Sequence, residues 1–537
     1  MSENYGRKKI LTDMVVNGNV DHDKVIIPQI LENALPFHEI NKTQYRINKS
    51  WYYNDTDTIL SKVKHIRPEI DNKFTFSTAK SVVSMNNGYC FGEPFKYVCN
   101  EADVELQKEA QAFNKCLQLA SNDRHTMQTA KNAGIYGLGY KLGLHPTPKD
   151  LENGKFFNIV SDINNFNTFI VYQNNITKDE VLGTIYYDRY VLDEQGRETT
   201  ATETVFNVWT KYHQWNFVKD NNGIYTHFPF LVTLQGITNK LDAFPLNPNE
   251  HLVANATNLP LQEYERTSDR VGDFELSIGL MDAINILSCC RLDSVQQSTD
   301  FIIKLRDIEL GEFDKQGNNA VLDRIKKYMQ NHFLAVESRE DATQQPDIDV
   351  LDIPLNQSEV QQLQDYLYQM LEEELQQPTR NGGTGQDTGI AVENRNGFRQ
   401  FENQAVAITD SAIYSERLFI EKLLEIGKSY ENCPFKNLKI GDITINTIRN
   451  RSENTTTSVN NYRTMRDAGV NPYTAYSRSG LVADVTDTIA LDDEWKRKEA
   501  EFAIEIEMRK LKAQKELEKE YSQPQVVEDT VDEPKTE

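Results

Sequence analysis

The sequence lacks most arrangements that bridge, anchor or catalyse, and each lack removes a class of function. Six cysteines, Cys90, Cys99, Cys116, Cys289, Cys290 and Cys433, are spread over 537 residues without a CxxC pair. That spacing indicates neither a disulfide framework nor a thiolate metal site. Cys289 and Cys290 would point about 100° apart on a helix, and all six are expected as small buried thiols in a reducing compartment. The nine histidines form no HxH or HExxH spacing, and there is no GxSxG elbow. No run reaches the roughly 18 apolar residues of a membrane span, and Met1 to Val15 hold no apolar signal core. A soluble intracellular product is therefore expected, with no membrane partner and no cofactor. Basic charge is also short: 58 Lys and Arg against 81 Asp and Glu leave a net charge of -23. Affinity for nucleic acid comes from basic residues that displace counterions. General adhesion to DNA is thus disfavoured, whereas an acidic wall that lets DNA slide past is compatible. A hydrophobic content of 39% and a mean hydropathy of -0.60 imply a largely polar surface or an elongated chain.

The chain is organised around the stretch from Asn356 to Tyr430. Val360, Leu363, Leu367, Met370, Leu371 and Leu375 recur at helical spacing and predict a helix from Asn356 to about Gln377. Pro378 stops it. Thr379-Arg380-Asn381-Gly382-Gly383-Thr384-Gly385-Gln386-Asp387-Thr388-Gly389 is too polar and glycine-rich for a regular element. A second helix is expected from about Ile390 or Asn396 to Tyr430, with Phe398, Phe401, Ala405, Ile408, Ala412, Phe419, Leu423 and Ile426 inside. The glycine segment is not a nucleotide cradle, because it has no Gly-Lys-Ser/Thr and follows a helix instead of a strand. Arg380, Arg395 and Arg399 flank it. They serve either solubility or passing contact with phosphates.

Before this stretch, residues 1–35 read as a polar arm and residues 41–61 as a helix end and turn. A helix over 74–90 is expected to close at the Asn86-Asn87-Gly88 signal, with a turn into a strand at Phe95–Val98. Residues 102–133 are helical. Gly134 to Gly143, Phe166–Tyr172, Val181–Tyr190, Thr204–Lys211 and His227–Leu234 read as strands. Residues 1–250 thus make a mixed α/β body. A helix over 272–298 follows, then a small α/β insertion over 301–355. The insertion has strand candidates at Phe301–Leu305, His332–Val336 and Ile348–Ile353, and a basic helix over 319–331 with Arg324, Lys326 and Lys327. A strand-like run covers Leu438–Arg449, and helices cover 458–468, 472–491 and 493–519. The acidic tail Tyr521–Glu537 should be disordered. Among the carboxylates, Asp269, Asp273 and Glu275 lie where acids favour a helix start, and that capping role outweighs acid–base catalysis. Glu372-Glu373-Glu374 oppose the dipole at a helix end and are expected to face solvent or another subunit.

This order of elements resembles the portal proteins of tailed bacteriophages, of the siphovirus type. Gly88-Tyr89-Cys90-Phe91-Gly92-Glu93-Pro94 is similar to a Gly-Tyr-x-x-Gly-x-Pro segment of that family. Trp51-Tyr52-Tyr53-Asn54 is similar to its Tyr-Tyr-x-Gly turn, without the glycine. Leu259-Pro260-Leu261-Gln262-Glu263-Tyr264 resembles its Pro-x-x-Glu-aromatic lead-in, followed here by Glu265-Arg266 in place of an asparagine pair. Gly272-Asp273-Phe274-Glu275 with Ile278 and Met281-Asp282-Ala283 resembles the helix after it. The resemblance spans roughly residues 40–490.

It implies an α+β, elongated, non-enzymatic subunit that assembles as a ring, usually of twelve in that family, at one capsid vertex. The ring's axis would carry double-stranded DNA in packaging and ejection. Residues 1–35 would be the N-terminal arm and 36–255, with the helix over 390–430, the wing. Residues 256–300 and 356–377 would be the stem, 301–355 the clip, 378–395 the tunnel loop, 438–519 the crown and 520–537 the tail. Arg380, Asn381, Gly382, Gly383, Thr384, Gly385, Gln386, Asp387 and Arg395 would face the channel. Arg324, Lys326 and Lys327 of the clip would meet partners. The partners implied are the terminase large subunit, head-completion or adaptor proteins, and the major capsid and scaffolding proteins. The place implied is the virion, after assembly in the host cytoplasm. The competing readings are a phage nuclease or hydrolase with an acidic site, and another head–tail adaptor protein.

Overall fold

The computed structural model describes residues 6–64, 68–99, 104–192, 198–219, 225–227, 258–299, 302–306, 323, 347–351, 357–378, 398–447, 455–479, 481 and 485–521. They divide into two compact units. One comprises Met1–Pro94 and Cys99–Arg449, the other Phe95–Val98 and Asn450–Glu537. In chain order the helices are α1 (Val20–Tyr53), α2 (Asp57–Leu60), α3 (Thr78–Phe91), α4 (Val104–Leu119), α5 (Asn122–Tyr136), α6 (Pro148–Glu152), α7 (Ile278–Thr299), α8 (Gln357–Glu374), α9 (Phe398–Lys428), α10 (Thr455–Asp467), α11 (Pro472–Ser479) and α12 (Val485–Tyr521). The strands are β1 (Ile10–Thr12), β2 (Lys96–Cys99), β3 (Leu138–Leu144), β4 (Asn158–Val160), β5 (Thr168–Gln173), β6 (Glu180–Leu192), β7 (Glu198–Thr210), β8 (Gln214–Lys219), β9 (Tyr225–His227), β10 (Leu261–Glu265), β11 (Ile302–Arg306), β12 (Asp347–Leu351) and β13 (Ile443–Asn446).

The stretch read as an arm carries β1 and the first half of α1. The Asn19 side chain accepts from the backbone N–H of Asp21 and His22, and Asp21 and Asp23 stand in the first turn. These signals start a helix, and Pro28 and Pro36 lie within it. Asn54 ends it in the left-handed conformation, φ 59°, a position asparagine tolerates. The inner face of α1 is polar as well as apolar. His38, Asn41 and Asn48 alternate with Ile27, Leu31, Tyr45 and Trp51 on the buried side, which hid its length in the sequence.

In the larger unit a six-stranded sheet runs β1-β5-β6-β7-β8-β9. β1 joins β5 in parallel and the other pairings are antiparallel. Alternate side chains of a strand point to opposite faces, and on β5 both faces are covered. Phe169 and Val171 pack with Ile27, Ile30, Leu31 and Ala34 of α1, together with Phe206, Val208 and Phe217. Ile170 and Tyr172 pack with Tyr140, Leu142, Leu259 and Leu261 of the three-stranded sheet β10-β3-β4. Gly183 permits that contact, since a Cβ there would stand 2.8 Å from Leu261 Cδ2. α9 lies on the three-stranded sheet, its Leu423 and Ile426 filling the space over Gly143.

A third core joins Trp51 and Tyr52 of α1, Ala79, Val82 and Val83 of α3, Ile135 of α5, Phe274 just before α7, Met281 and Ile284 of α7, and Leu371 and Leu375 at the end of α8. The two helices read as a stem therefore pack on each other, with Gln364 of α8 donating to Ser288 of α7 at 3.1 Å. Of the insertion between them, β11 and β12 pair antiparallel, Ile302 opposite Leu351.

In the smaller unit α11 packs against α10, and α12 packs against α11. Tyr462 stacks on Tyr476 at 4.2 Å, and the Tyr476 hydroxyl donates to Asp492 at 2.8 Å. Further expectations shift in detail: the helix expected over 102–133 is two helices, α4 and α5, and those expected over 472–491 and 493–519 are α11, ending at Ser479, and α12, starting at Val485. α3 runs through Asn86-Asn87-Gly88 to Phe91. α5 runs on to Tyr136, where Gly137 at φ 79° caps it. β8 was not anticipated. The basic helix over 319–331 (Asp323 apart), the strand at His332–Val336 and the acidic tail beyond Tyr521 lie outside the described residues, as does most of the strand expected at His227–Leu234.

Candidate functional site

The sequence points to the segment between α8 and α9. Arg380, Asn381, Gly382, Gly383, Thr384, Gly385, Gln386, Asp387 and Arg395 all lie outside the described residues, and so do Arg324, Lys326 and Lys327 of the insertion. Arg399 is described and lies exposed in the first turn of α9. What the structure supplies is the base on which the segment begins and ends.

Both ends are held by α3. On the α8 side, Leu371 and Leu375 are buried in the third core beside Val82 and Val83, and Gln377 donates to Asn86 Oδ1 at 3.2 Å. On the α9 side, the Tyr89 ring meets Phe398 at 5.9 Å and Phe401 at 4.9 Å between centroids. The Tyr89 hydroxyl donates to Glu402, and Cys90 Sγ donates to the Ala405 carbonyl at 3.9 Å. Residues three apart on a helix lie on neighbouring turns of one face. Asn86 and Tyr89 thus set the two anchors side by side.

α3 is itself fixed from behind by a buried polar ring. Asn86 Nδ2 donates to Asp273 at 3.0 Å. Asp273 accepts two bonds of 2.6 Å from the Arg266 guanidinium, and Arg266 donates to Asn87 Oδ1 at 3.1 Å. The Arg266 and Asp273 side chains are each only 2% exposed. A two-pronged arginine–carboxylate pair fixes orientation as well as distance. Asn86 and Asn87, read as a helix stop, are instead the residues through which α3 is clamped. A short polar side chain can end a helix or satisfy a buried partner, and the sequence does not say which.

Of the acids expected as caps, Asp273 and Glu275 are likewise engaged. Glu275 receives Arg7 Nη1 and Nη2 at 2.9 and 2.7 Å, Asn48 Nδ2 at 3.0 Å and the Gly272 N–H at 3.0 Å. Burial alone would raise its carboxyl; Arg7 and these donors outweigh that and hold it below the usual range. Only its bond to Gly272 has the local character of a cap. Glu373 and Glu374 are exposed, as a solvated role requires.

A second ionic centre fixes α9 farther along. Glu416, wholly buried, accepts from Lys141 Nζ at 2.7 Å, Tyr264 Oη at 2.6 Å and Asn122 Nδ2 at 2.9 Å. The Lys141 ammonium also lies 5.0 Å from the Tyr264 ring and 5.3 Å from that of Phe419. Burial opposes the charge on Glu416, but Lys141 and the other donors hold its carboxyl below the ordinary value. One small space lies beside both centres among the described residues. The space bounded by Phe91, Ala130, Tyr264, Arg266 and Ile408 holds about 20 Å³, little more than one water. Among the described residues no three His, Cys, Asp or Glu side chains are grouped to hold a metal, and no helix is long and apolar enough to cross a membrane.

The model of one protein family, described as phage portal protein, SPP1 Gp6-like, matches residues 35–520. The chain belongs to this phage portal family. No curated protein matches it. Among solved structures, a chain titled "Neck of empty GTA particle computed with C6 symmetry" is similar at 12% identity and a TM-score of 0.37, over 75% of this chain and 90% of its own length. Portal proteins are structural, non-enzymatic components of the phage capsid vertex, and the function of this chain is that of a portal protein. The family match extends from α1 into α12, so both compact units belong to the portal chain.

The residues missed in the sequence are Asn86, Arg266, Asp273 and Glu402. Tyr89 was visible in the Gly-Tyr-x-x-Gly-x-Pro segment, but its role was not. Arg266 follows the Pro-x-x-Glu-aromatic segment, and its departure from an asparagine pair was the one signal available.

Proposed function

We propose that this portal chain is one subunit of a closed ring of twelve, and that double-stranded DNA passes along the axis of the ring. The segment 378–395 borders the channel, and Arg380 and Arg395 touch phosphates in passing. Portal function supports the reading. The observation that carries it is the fastening of both ends of the glycine segment to α3, itself clamped by Arg266 and Asp273. Both anchors belong to the packed body of the subunit, so a passing duplex would meet the segment and not the fold that carries it. The net charge of -23 fits a conduit, because tight phosphate binding would arrest sliding.

In this reading α7 and α8 form the stem and 301–355 the clip. Arg324, Lys326 and Lys327 meet the terminase large subunit and later the head-completion proteins. Residues 438–519 form the crown toward the capsid interior, and the major capsid and scaffolding proteins surround the ring. Assembly takes place in the host cytoplasm. Deleting Gly382–Gly389 tests the central step. The expected outcome is a ring of unchanged mass that packages little DNA. A variant that no longer assembles would make the segment a subunit contact and overturn the assignment.

A further inference from the structure

Helix α12 leaves an unusual amount of apolar surface uncovered. Leu491, Trp495, Phe502 and Ile506 are 39 to 68% exposed, and Ile504, Met508 and Leu511 are 51 to 57% exposed. At about 100° per residue the first four fall on one stripe, roughly 60° wide. The other three fall on a second stripe of similar width, and the two stripes are about 160° apart. A helix lying on a membrane or on one partner needs a single stripe. Helices of a two-, three- or four-stranded coil bury one continuous seam. Two nearly opposed stripes suit a helix that stands between two neighbours in a large ring, where twelve copies would set the two contacts about 150° apart.

The charges point to the same neighbour. The whole chain carries -23, yet residues 491–515 hold equal numbers of acidic and basic residues. Copies of this stretch therefore do not repel one another, and it is not a basic surface for nucleic acid. Placed parallel and in register, with the first stripe of one copy against the second stripe of the next, the wheel brings unlike charges together on one flank. Asp492 and Glu499 beside the first stripe meet Lys496 beside the second, and Lys510 meets Glu507.

We propose that α12 of each subunit is held between the α12 helices of the two adjacent copies, Phe502 and Ile506 of one against Ile504 and Met508 of the next, with Leu491 and Trp495 level with Asp493 and Arg497 of that next copy. The contact is head-to-tail and builds a collar of parallel helices. It rests on the ring reading given above and deepens it, by naming the surface through which neighbouring crowns join.

Cysteine cross-linking in the full-length chain tests it. Phe502 and Ile504 are exposed, so their replacement leaves the subunit fold intact. The double variant F502C/I504C should give, on mild oxidation, a ladder of covalent oligomers. Wild type and the two single variants should show only the background of the native cysteines, because each stripe meets the other and never itself. Native mass spectrometry of the same samples reports whether rings are present. Rings without a ladder above background would overturn the helix contact and leave the ring reading standing. Cross-linked dimers from F502C alone would also overturn it, since they require a self-facing stripe. Absence of rings would overturn both.

Discussion

His38 shows how a side chain unremarkable in the sequence becomes a constraint on the fold. It is 1% exposed, with Nε2–H donating to the Phe166 carbonyl at 2.9 Å and its ring 4.8 Å from that of Phe169. Burial pushes its pKa down to about 4, against the partial opposition of the Phe166 hydrogen bond. The folded state holds the neutral ring, whereas the unfolded chain takes up a proton near pH 6.5. The stabilisation is therefore complete above about pH 6.5 and lost as the pH falls toward 4, by about 3 kcal/mol in all. His38→Gln keeps a donor to Phe166 and removes the titration. Denaturation across pH 4 to 7 should show a shallower loss of stability for this variant, and an identical slope would contradict the assignment. Lys141 acts differently, because its removal strands a buried carboxylate. Lys141→Met should cost about 3 to 5 kcal/mol at neutral pH, read as a lowered unfolding midpoint, with Glu416→Gln added to it recovering part of the loss.

The elements divide into those the sequence makes plain and those it does not. α8 and α9 were legible because Leu363, Leu367, Leu371 and Leu375, and Phe401, Ala405, Ile408 and Phe419, keep helical spacing. Pro378 and the glycines mark the break between them. α1 was not, because His38, Asn41 and Asn48 on its buried side are polar and are satisfied by partners far along the chain. Asn41 bonds Lys8 and Asn48 bonds Ile135 and Glu275. Long-range pairs of this kind, Arg7 with Glu275 or Asn86 with Asp273, leave no periodic trace. The base of the glycine segment was therefore invisible, while the segment itself stood out by composition. At this scale Tyr89 is the residue to change. Tyr89→Phe keeps the ring against Phe398 and Phe401 but deletes the hydroxyl bond to Glu402, loosening the first turn of α9 by about 1 kcal/mol. Trypsin cleavage after Arg399, exposed in that turn, should quicken roughly fivefold under native conditions, with ring mass unchanged. An unchanged rate would show that Tyr89 does not hold the anchor.

At the scale of the whole molecule, membership of the portal family explains features that are awkward in a lone subunit. The exposed apolar residues of α1, including Val25, Phe37, Ile40 and Ile47, and the two stripes of α12 lie on long helices that one chain leaves uncovered, and neighbouring copies can bury such faces. The low mean hydropathy fits a subunit whose contacts are shared with others. The buried ion pairs of Arg266, Glu275 and Glu416 fasten the subunit from within. A set of class averages of the purified assembly, viewed down its axis, tests the central claim most directly. The expected result is a closed ring of twelve subunits of 61.8 kDa, roughly 740 kDa in total, around a central opening wide enough for duplex DNA. Particles with no axial opening, or a sample of monomers and dimers alone, would contradict it.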